Sequence, residues 1–462
     1  MSTRKVYQLG TFYVAMIILG SVDSIRNLPT TALLGSNLPV FFILASILFL
    51  LPSAIVAATL SSMWPEQGGV YIWVRNCFGR RAGLMAVWFQ WIENVIWYPT
   101  ILSFVAATLG YLINPNLINN AHFLCFTIIA SFWLITLINW LGMKSSAVFA
   151  SLCTWLGLIF PMAAIIALGA MWMSKGQPLQ IHFGLSSFIP NFSNSDQWIA
   201  LEGVVLSFCG MEMATVHARD VKNPTRTFPR ALMISALLLV ITLLFGSLAI
   251  AIVIPQSQIS LVAGIIQAFA LFLAQYHLSF LVPIVAVMLV LGGLGSVNNW
   301  AIGPAKGLQV ASQDGAGFEI LTRENRYGAP NKLLLLQALI VTGMSTMFIF
   351  SPTINAAYWI LTVLAAQLYM LMYILMFVAG MKAIWKYYKP AEHYRIFGGK
   401  VTLMILSIFG LLGSVFALVI GFIPPSGGSS LSNTHYVLWI SLWLIVMSVP
   451  PLFIATKKNA IM

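Results

Sequence analysis

Charged side chains stand inside several long apolar segments of this sequence, and their types limit the chemistry that they support. They are Asp23, Arg26, Glu93, Glu202 and Glu212. A charged residue in the middle of a lipid bilayer is costly, so such residues mark ligand pathways, proton-transfer groups or internal ion pairs. No nucleophile–base pair or metal-ligand cluster accompanies them in the sequence, so they indicate binding of charged groups. We therefore expect no enzyme activity, no cofactor and no metal.

Two of these segments also contain residues that interrupt helices. The first reads ILGSVDSIRNLP, with Gly20 and Pro29 on either side of Asp23 and Arg26. The second reads LEGVVLSFCGME, with two glycines around Ser207. At a helix break, the N–H groups that begin one half attract a carboxylate, and the carbonyls that end the other half attract an ammonium group. The two breaks together predict a binding site for a zwitterionic amino acid.

The elements that carry these residues are predicted to be transmembrane helices. Apolar residues make up 60% of the 462-residue chain and charged residues 7%, against roughly a quarter charged in soluble proteins. Apolar runs of about 20 residues, the length that crosses a bilayer as a helix, recur along the chain and predict an all-α polytopic membrane protein with twelve spans. The spans lie near 8–34, 38–61, 83–112, 122–141, 147–173, 196–217, 231–254, 279–307, 333–350, 354–384, 401–422 and 434–455.

The basic residues fall on one side of this arrangement. The chain has a net charge of +12, and with twelve spans its loop arginines and lysines lie on the side of both termini, Lys175 excepted. Cytoplasmic loops of membrane proteins are enriched in basic residues, so both termini are expected in the cytoplasm. Topology then explains the positive charge, and nucleic acid is excluded as a partner.

The two interrupted spans are the first and the sixth, five spans apart. Five spans per half insert the second half with opposite polarity, as in inverted-repeat transporters, whose broken helices meet at a substrate site near the bilayer midplane. We therefore predict one transporter domain over residues 1–462. It would comprise a first repeat at 1–173, a second repeat at 196–384 and two further helices at 401–455.

The partner of Arg26 is the main alternative that the sequence leaves open. Asp23 lies three residues before Arg26 and could neutralise it on one helical face, and Glu93 of span 3 could form a structural ion pair with it. If Arg26 instead faces an open cavity, it can bind a substrate carboxylate. The acids Asp23, Glu93 and Glu202 favour the opposite choice, a cationic amino acid or a polyamine.

Four stretches of the sequence resemble the amino acid–polyamine–organocation superfamily, and within it the bacterial glutamate/GABA antiporters. The resemblance rests on WPEQGGVYIWVRNCFGRRAG, RDVKNPTRTFPRAL, IPQSQISLVAGIIQAF and NNWAIGPAKGLQVAS, and the FGGK segment before span 11 extends it over essentially the whole chain. It implies a ten-helix inverted-repeat core with broken spans 1 and 6, followed by two extra helices. It also implies exchange of amino acids by alternating access in the bacterial inner membrane.

The resemblance also assigns residues. The Ser-Phe-x-Gly-x-Glu motif of span 6, whose Glu couples the cavity to the cytoplasmic side, corresponds to Ser207, Phe208, Gly210 and Glu212, and Trp300 corresponds to a cavity-lining aromatic of span 8. The expected gating and proton-coupling residues are Glu93, Glu202 and Glu212. The expected substrate-binding residues are Gly20, Ser21, Asp23, Ser24, Arg26, Ser207, Phe208, Gly210 and Trp300.

In three places the sequence departs from the pattern of the glutamate/GABA antiporters. Arg26 occupies a position where those exchangers carry an aromatic residue, and Ser296 one where the best-known members carry a Glu. The sequence ATKKNAIM ends soon after span 12, so the long tail that plugs the cytoplasmic path in some members is expected to be missing.

The expected function is exchange of amino acids across the bacterial inner membrane, of the glutamate/GABA type and with pH dependence. The alternative is a proton-coupled importer of amino acids or polyamines on the same scaffold. A channel is disfavoured because no filter motif or ring of charges appears. The expected partners are small amino-acid or amine substrates and the lipid bilayer, and the expected oligomeric state is a monomer or a homodimer.

Overall fold

The computed structural model describes residues 10–141, 149, 152–184, 195–213, 221, 223–317, 319–389, 398–424 and 433–453. These residues form helices joined by short connections. Their bounds are α1 Thr11–Val22, α2 Leu28–Ala32, α3 Gly35–Met63, α4 Val70–Phe78, α5 Arg80–Ile113, α6 Ala121–Trp140, α7 Leu152–Ser174, α8 Ser195–Ser207, α9 Pro224–Val253, α10 Gly264–Gln275, α11 Val282–Gln313, α12 Asn331–Phe350, α13 Ile354–Lys386, α14 Gly399–Ile420 and α15 Thr434–Phe453.

The predicted all-α polytopic membrane fold is confirmed. Within the described residues, ten helices are long and apolar enough to cross a bilayer, namely α3, α5, α6, α7, α9 and α11–α15. They coincide with ten of the twelve predicted spans. The other two are the spans predicted to be broken, and they are present as shorter pieces, α1 with α2 and α8. The inverted-repeat division stays a prediction.

The orientation in the membrane also stays a prediction. Several of the basic residues that support it, among them Lys144, Arg219 and Lys222, lie outside the described residues, as do both ends of the chain. Helix lengths and hydropathy identify the spans, but they do not distinguish the two sides of the membrane.

Two helices form the centre of the bundle. Protein buries 72% of the most apolar stretch of α5 and 78% of that of α13, against 17% for α15. α5 packs along both α11 and α13. A helix that is surrounded by protein can carry polar side chains at membrane depth, because neighbouring helices can satisfy them. The polar residues of spans 3 and 10 therefore lie where a site can be built.

Two glycines allow a close crossing of α7 and α11. A Cβ atom added to Gly157 of α7 would lie 2.0 Å from the backbone nitrogen of Gly292 in α11. Small residues allow membrane helices to approach until their backbones touch. Spans 5 and 8 are therefore in backbone contact beside the first broken span, whose Gly20 also has Thr154 of α7 against it.

An ion-pair network joins one end of α11 to α4 and α5. Asp314, which follows α11, accepts hydrogen bonds from Arg75 at 3.1 Å, from Arg80 at 3.3 Å and from the hydroxyl of Tyr71. Burial alone would raise the pKa of Asp314, but the hydrogen bonds from Tyr71 and Arg75 outweigh it and hold that pKa below its ordinary value. Asp314 is therefore ionised at neutral pH, and the network fastens three helix ends together.

Candidate functional site

The interruption of span 1 is confined to two residues. α1 ends at Val22, the backbone of Asp23 and Ser24 is extended, and a single 3₁₀ turn leads from Ile25 into α2. The predicted hinge around Gly20–Ser24 is thus shorter than expected, because Gly20 and Ser21 still belong to the last turn of α1. The glycine at position 20 is explained by the close approach of Thr154, whose methyl group would lie 3.1 Å from an added Cβ.

Side chains of span 8 bind the carbonyl groups that this break leaves free. Trp300 donates its indole N–H to the carbonyl of Ser21 at 2.6 Å, and Asn299 donates to the carbonyl of Gly20 at 3.3 Å. The last carbonyls of a helix have no partner within it and must be satisfied from outside. The NNW sequence of α11 therefore stabilises the end of α1, and Asn298 beside it bonds to Asn139 of α6 at 3.0 Å.

The interruption of span 6 begins where α8 ends at Ser207. Gly210 has φ +106°, a conformation that strongly favours glycine. Its N–H donates to the hydroxyl of Tyr373 at 2.8 Å, and a Cβ added to it would lie 2.7 Å from the ring of Trp300. Backbone conformation and space both require a glycine here. The continuation of span 6 beyond Met213 lies outside the described residues until position 221.

Arg26 is buried and has no carboxylate partner among the described residues. Its guanidinium donates to the hydroxyl of Thr100 and to the side-chain oxygen of Asn27, the latter at 2.9 Å. The rings of Trp97 and Tyr358 each lie 5.5 Å from its Cζ atom, and its Nε has no hydrogen-bond partner. Neither Asp23 nor Glu93 forms an ion pair with it. Both structural pairings considered from the sequence are therefore absent.

A cavity lies between the two breaks, and Arg26 lines it. It offers about 30 Å³ to water-sized molecules, enough for about two waters. Spans 1, 3, 6, 8 and 10 all contribute to its wall. The lining residues are Ser21, Val22, Ser24, Arg26, Asn27, Glu93, Asn94, Trp97, Leu206, Cys209, Trp300 and Tyr369.

Glu93 places a carboxylate in the same cavity. One of its oxygens accepts a hydrogen bond from the side chain of Asn94 at 2.8 Å, and the residue is 3% exposed. Asn94 also donates to the carbonyl of Gln90, one turn earlier in α5. The cavity therefore presents one cation and one carboxylate that do not pair with each other, an arrangement suited to a ligand that carries both charges.

Glu212 is satisfied by three side chains of the bundle. Its oxygens accept from Gln90 at 2.9 Å, from Tyr369 at 2.8 Å and from Tyr373 at 2.6 Å. Tyr373 also accepts the N–H of Gly210, so the network joins Gly210 and Glu212, which follow the end of α8, to α5 and α13. This geometry fits a residue that holds the break in one arrangement, and Glu212 does not line the cavity.

Asp23 faces a second, smaller cavity beside the first. One oxygen accepts from Thr242 of α9 at 2.9 Å, and the other has no partner. Ser296 lines the same space, and its buried hydroxyl is also without a partner. Arg26 and Ser24 border both cavities, so the two form adjoining parts of one polar region.

None of the five expected residues of span 6 lines the cavity. Phe208 packs edge-on against Phe42 of α3, with ring centroids 5.6 Å apart, and the hydroxyl of Ser207 bonds within its own helix to Gly203. Glu202 lies near Gly421 at the end of α14. The rotation of span 6 about its axis explains why these residues miss the cavity, because the side of span 6 that faces the cavity carries Leu206 and Cys209.

Sequence reasoning missed several residues that complete the site. All of them lie on the buried faces of α5 and α13. The sequence did indicate Tyr369 and Tyr373, since residues four apart lie on one helical face. The polar residues that follow Glu93 in span 3 were a second indication. The missed residues are Gln90, Asn94, Trp97, Thr100, Tyr358, Tyr369 and Tyr373.

Comparisons with known proteins agree with this architecture. The amino acid permease family profile matches residues 9–449. An uncharacterized transporter of Legionella pneumophila is 44% identical over 426 residues, which are 92% of this chain and 91% of that protein. A glutamate/gamma-aminobutyrate antiporter of Lactococcus lactis is 27% identical over 460 residues, 98% of this chain and 91% of that protein. A probable agmatine/putrescine antiporter of the same species is 21% identical over 402 residues, 85% of this chain and 83% of that protein.

The family match extends over both broken spans, the cavity between them and nearly every helix of the bundle. Broken helices around a polar cavity, the match over residues 9–449 and a relative 44% identical over nine tenths of the chain lead to one conclusion. This chain is a membrane-embedded transporter and belongs to the amino acid permease family.

Proposed function

We propose that this protein exchanges amino acids across the bacterial inner membrane and that one exchanged substrate carries a second carboxylate, which Arg26 binds. The observation that carries the proposal is the buried guanidinium of Arg26, which lines the cavity and forms no ion pair with Glu93 or with any other acid among the described residues. A buried charge that is not directly paired with an opposite charge is unfavourable. A ligand carboxylate that forms two parallel hydrogen bonds with the guanidinium would compensate it.

The other charged parts of the substrate have partners in the same region. The extended backbone at Asp23 and Ser24 provides a place for the α-carboxylate, as half-helix termini do in broken-helix transporters. Glu93 is the acid that lines the cavity and is the proposed partner of the ammonium group. An acidic amino acid such as glutamate carries these three charges.

Arg26 argues against a polyamine as the substrate. Like charges about 5 Å apart repel by roughly 3 kcal/mol at an effective dielectric constant of 20. A dication in this small cavity would meet the guanidinium at such distances. The relative named as a glutamate/gamma-aminobutyrate antiporter is therefore a better guide to the substrate class than the relative named as an agmatine/putrescine antiporter.

Exchange follows if the carrier reorients readily only when it is loaded. The cavity has room for about two waters, so an amino acid requires the surrounding helices to separate. The energy of such a motion comes from contacts that differ between the two states. Arg26 supplies such a contact, because its charge is poorly compensated when no substrate is present.

Exchange in proteoliposomes tests the proposal. Vesicles containing the purified protein are preloaded with glutamate, GABA, aspartate, arginine or putrescine, and entry of labelled glutamate is followed. We expect entry with internal glutamate, aspartate or GABA and none into empty vesicles. Failure with every internal amino acid would contradict exchange, and glutamate uptake into empty vesicles driven by a pH gradient would favour the importer.

The Arg26→Gln variant separates the substrate assignment from the transport assignment. If Arg26 binds the second carboxylate, the variant loses preference for glutamate over glutamine but still exchanges neutral amino acids. Arg75→Gln is the matched control, because Arg75 has an acidic partner at 3.1 Å outside the cavity. A variant that keeps the same preference as the wild type would overturn the role of Arg26.

A further inference from the structure

A further buried carboxylate lies outside the substrate cavity, where α8 packs against α14, close to side chains of α13 and α15. Glu202 is 5% exposed and its Oε1 has no hydrogen-bond partner. Gln367 of α13 is fully buried, and its Oε1 also lacks a partner. Two acceptor oxygens without donors in one buried region require an explanation, because unsatisfied buried polar atoms are costly.

The space at Gly421 brings these two side chains together. A Cβ atom added to Gly421 would lie 2.7 Å from Oε1 of Glu202 and 2.2 Å from Nε2 of Gln367. Since both atoms are close to one point, the carboxylate and the amide are neighbours, and only a glycine leaves room for them. Nε2 of Gln367 donates to the carbonyl of Leu418 at 2.9 Å, which fixes the orientation of the amide.

Glu202 has no cationic partner among the residues that the structure describes. It forms no ion pair with any described residue, and α2 and α3, which pack against α8, contain no ionisable side chain. Arg26, in the turn that also touches α8, is bonded to Thr100 and Asn27. Lys400 lies at the far end of α14, and its ammonium group bonds to the backbone of α13. From α15, Tyr436 packs nearby and donates its hydroxyl to the carbonyl of Gly421.

We propose that Glu202 is a proton-binding site in the membrane, separate from the substrate cavity, and that its carboxylic acid donates a hydrogen bond to Oε1 of Gln367. A single proton on Glu202 explains both unsatisfied oxygens. It removes the uncompensated charge of Glu202, and it supplies the hydrogen-bond donor that Oε1 of Gln367 lacks. In this conformation the protein therefore holds a bound proton between α8 and α13, beside the end of α14.

A metal ion does not fit this position. Hard cations take about six or more oxygen ligands, whereas the amide nitrogen of Gln367 lies beside the carboxylate and directs hydrogen atoms into the same space. The described residues also contain no group of three or more acidic, His or Cys side chains that could hold a metal. The chemistry of the site selects a proton.

The site is built so that helix movement can open it. α8 is one half of a broken helix, while Gly421 belongs to the end of α14. If α8 moves relative to α14 during the proposed exchange, Glu202 leaves its acceptor and can release the proton. That coupling rests on the proposed function, but proton binding by Glu202 does not.

Infrared difference spectroscopy on the full-length protein in lipid nanodiscs tests the site without measuring transport. We expect the wild type at neutral pH to show a carbonyl band of a protonated carboxylic acid that is lost in Glu202→Gln. The matched control is Glu66→Gln, which replaces an acid whose side chain is 53% exposed and should leave the band unchanged. An identical band in Glu202→Gln would overturn the proposal, whether or not the protein exchanges amino acids.

A second variant keeps the test decisive if Glu202→Gln does not fold. Gln367→Met retains the volume of the side chain and removes the acceptor. We expect the carbonyl band of Glu202 to shift to higher frequency, because its acid group loses a hydrogen bond, or to disappear if the proton is released. A spectrum unchanged from the wild type would contradict the pairing with Gln367.

Discussion

Arginine side chains occur in two contrasting environments in this protein. Arg75 and Arg80 are partly exposed, at 24% and 30%, and both bind Asp314 at the ends of helices. Arg26 is 2% exposed and is surrounded by a hydroxyl, an amide and two aromatic rings. Arg75 and Arg80 thus form ion pairs with a protein carboxylate, whereas Arg26 forms none with the described residues.

The difference indicates how each charge is used. Partly exposed ion pairs contribute at most about 1 kcal/mol each, so the Asp314 network mainly fixes the relative positions of α4, α5 and α11. A buried cation costs several kcal/mol unless an anion compensates it. The neutral groups around Arg26 and the unpaired carboxylate of Glu93 offset only part of that cost. A substrate carboxylate bonded directly to the guanidinium can offset more of it.

The largest effect that distinguishes the two environments is expected in substrate selectivity. A hydrogen bond to a charged group contributes about 1.5–3 kcal/mol, so Arg26→Gln should lower the glutamate-over-glutamine preference in exchange by roughly 10- to 100-fold. Arg75→Gln should leave that preference unchanged. Competition between labelled glutamate and unlabelled glutamine in proteoliposomes measures this preference in both variants. Equal effects of the two variants would contradict a special role of Arg26 in substrate selectivity.

Reversal of charges tests whether either arginine depends on a fixed partner. The double variant Arg26→Glu/Glu93→Arg should not restore exchange, because the two residues do not pair in the wild type. The double variant Arg75→Asp/Asp314→Arg should recover part of the thermal stability lost in the single variants. Rescue of exchange by the first double variant would show that Arg26 and Glu93 form a structural ion pair.

A smaller effect is expected from the side chain that holds the break next to Arg26. Trp300→Phe removes the hydrogen bond to the carbonyl of Ser21, which contributes about 1 kcal/mol. Exchange should therefore fall by about fivefold, with glutamate preference retained. Trp439→Phe, a change on an exposed face of α15, is the control. A loss of preference in Trp300→Phe would mean that Trp300 itself recognises the side chain of the substrate.

The smallest expected effect is the pH dependence of the stability that Asp314 contributes through its pairs with Arg75 and Arg80. The pKa of Asp314 is lowered in the folded protein, so its contribution is fully present above the unfolded value of about 3.9 and is lost as pH falls through the folded value. Asp314→Asn should lower stability by roughly 1 kcal/mol at pH 7. The difference in thermal stability should be constant from pH 7 to about 5 and shrink only below about 4, so a difference that disappears near pH 6 would contradict the pairing.

The sequence predicted the broken spans because their cause is local. Gly210 needs a positive φ and Asp23 stands in an apolar run, so both positions are visible without knowledge of the neighbours. Hydropathy likewise identified the long helices, since it depends only on length and composition. Within the described residues, neither of the two spans predicted to be broken forms a continuous crossing helix.

Side-chain partners were not predictable in the same way. Glu93 and Thr100 both lie on α5. A rotation or shift of α5 by a fraction of a helical turn relative to the break decides which of them contacts Arg26. The same uncertainty applies to Phe208, whose ring packs against Phe42 of α3 and which is not among the residues that line the cavity. In the sequence, Glu202 and Glu93 look alike, since each is an acid within an apolar span. Glu93 lines the cavity, whereas Glu202 lies against α14 and α15, which the sequence alone does not place beside it.

The most direct test of the role of Arg26 is a binding measurement with two ligands that differ only in one charge. Isothermal titration of the purified protein with glutamate and with glutamine gives the ratio of their affinities, in the wild type and in Arg26→Gln. We predict a ratio of roughly 10 to 100 in favour of glutamate for the wild type and a ratio near unity for the variant. A ratio that is the same in both proteins would contradict recognition of the second carboxylate by Arg26.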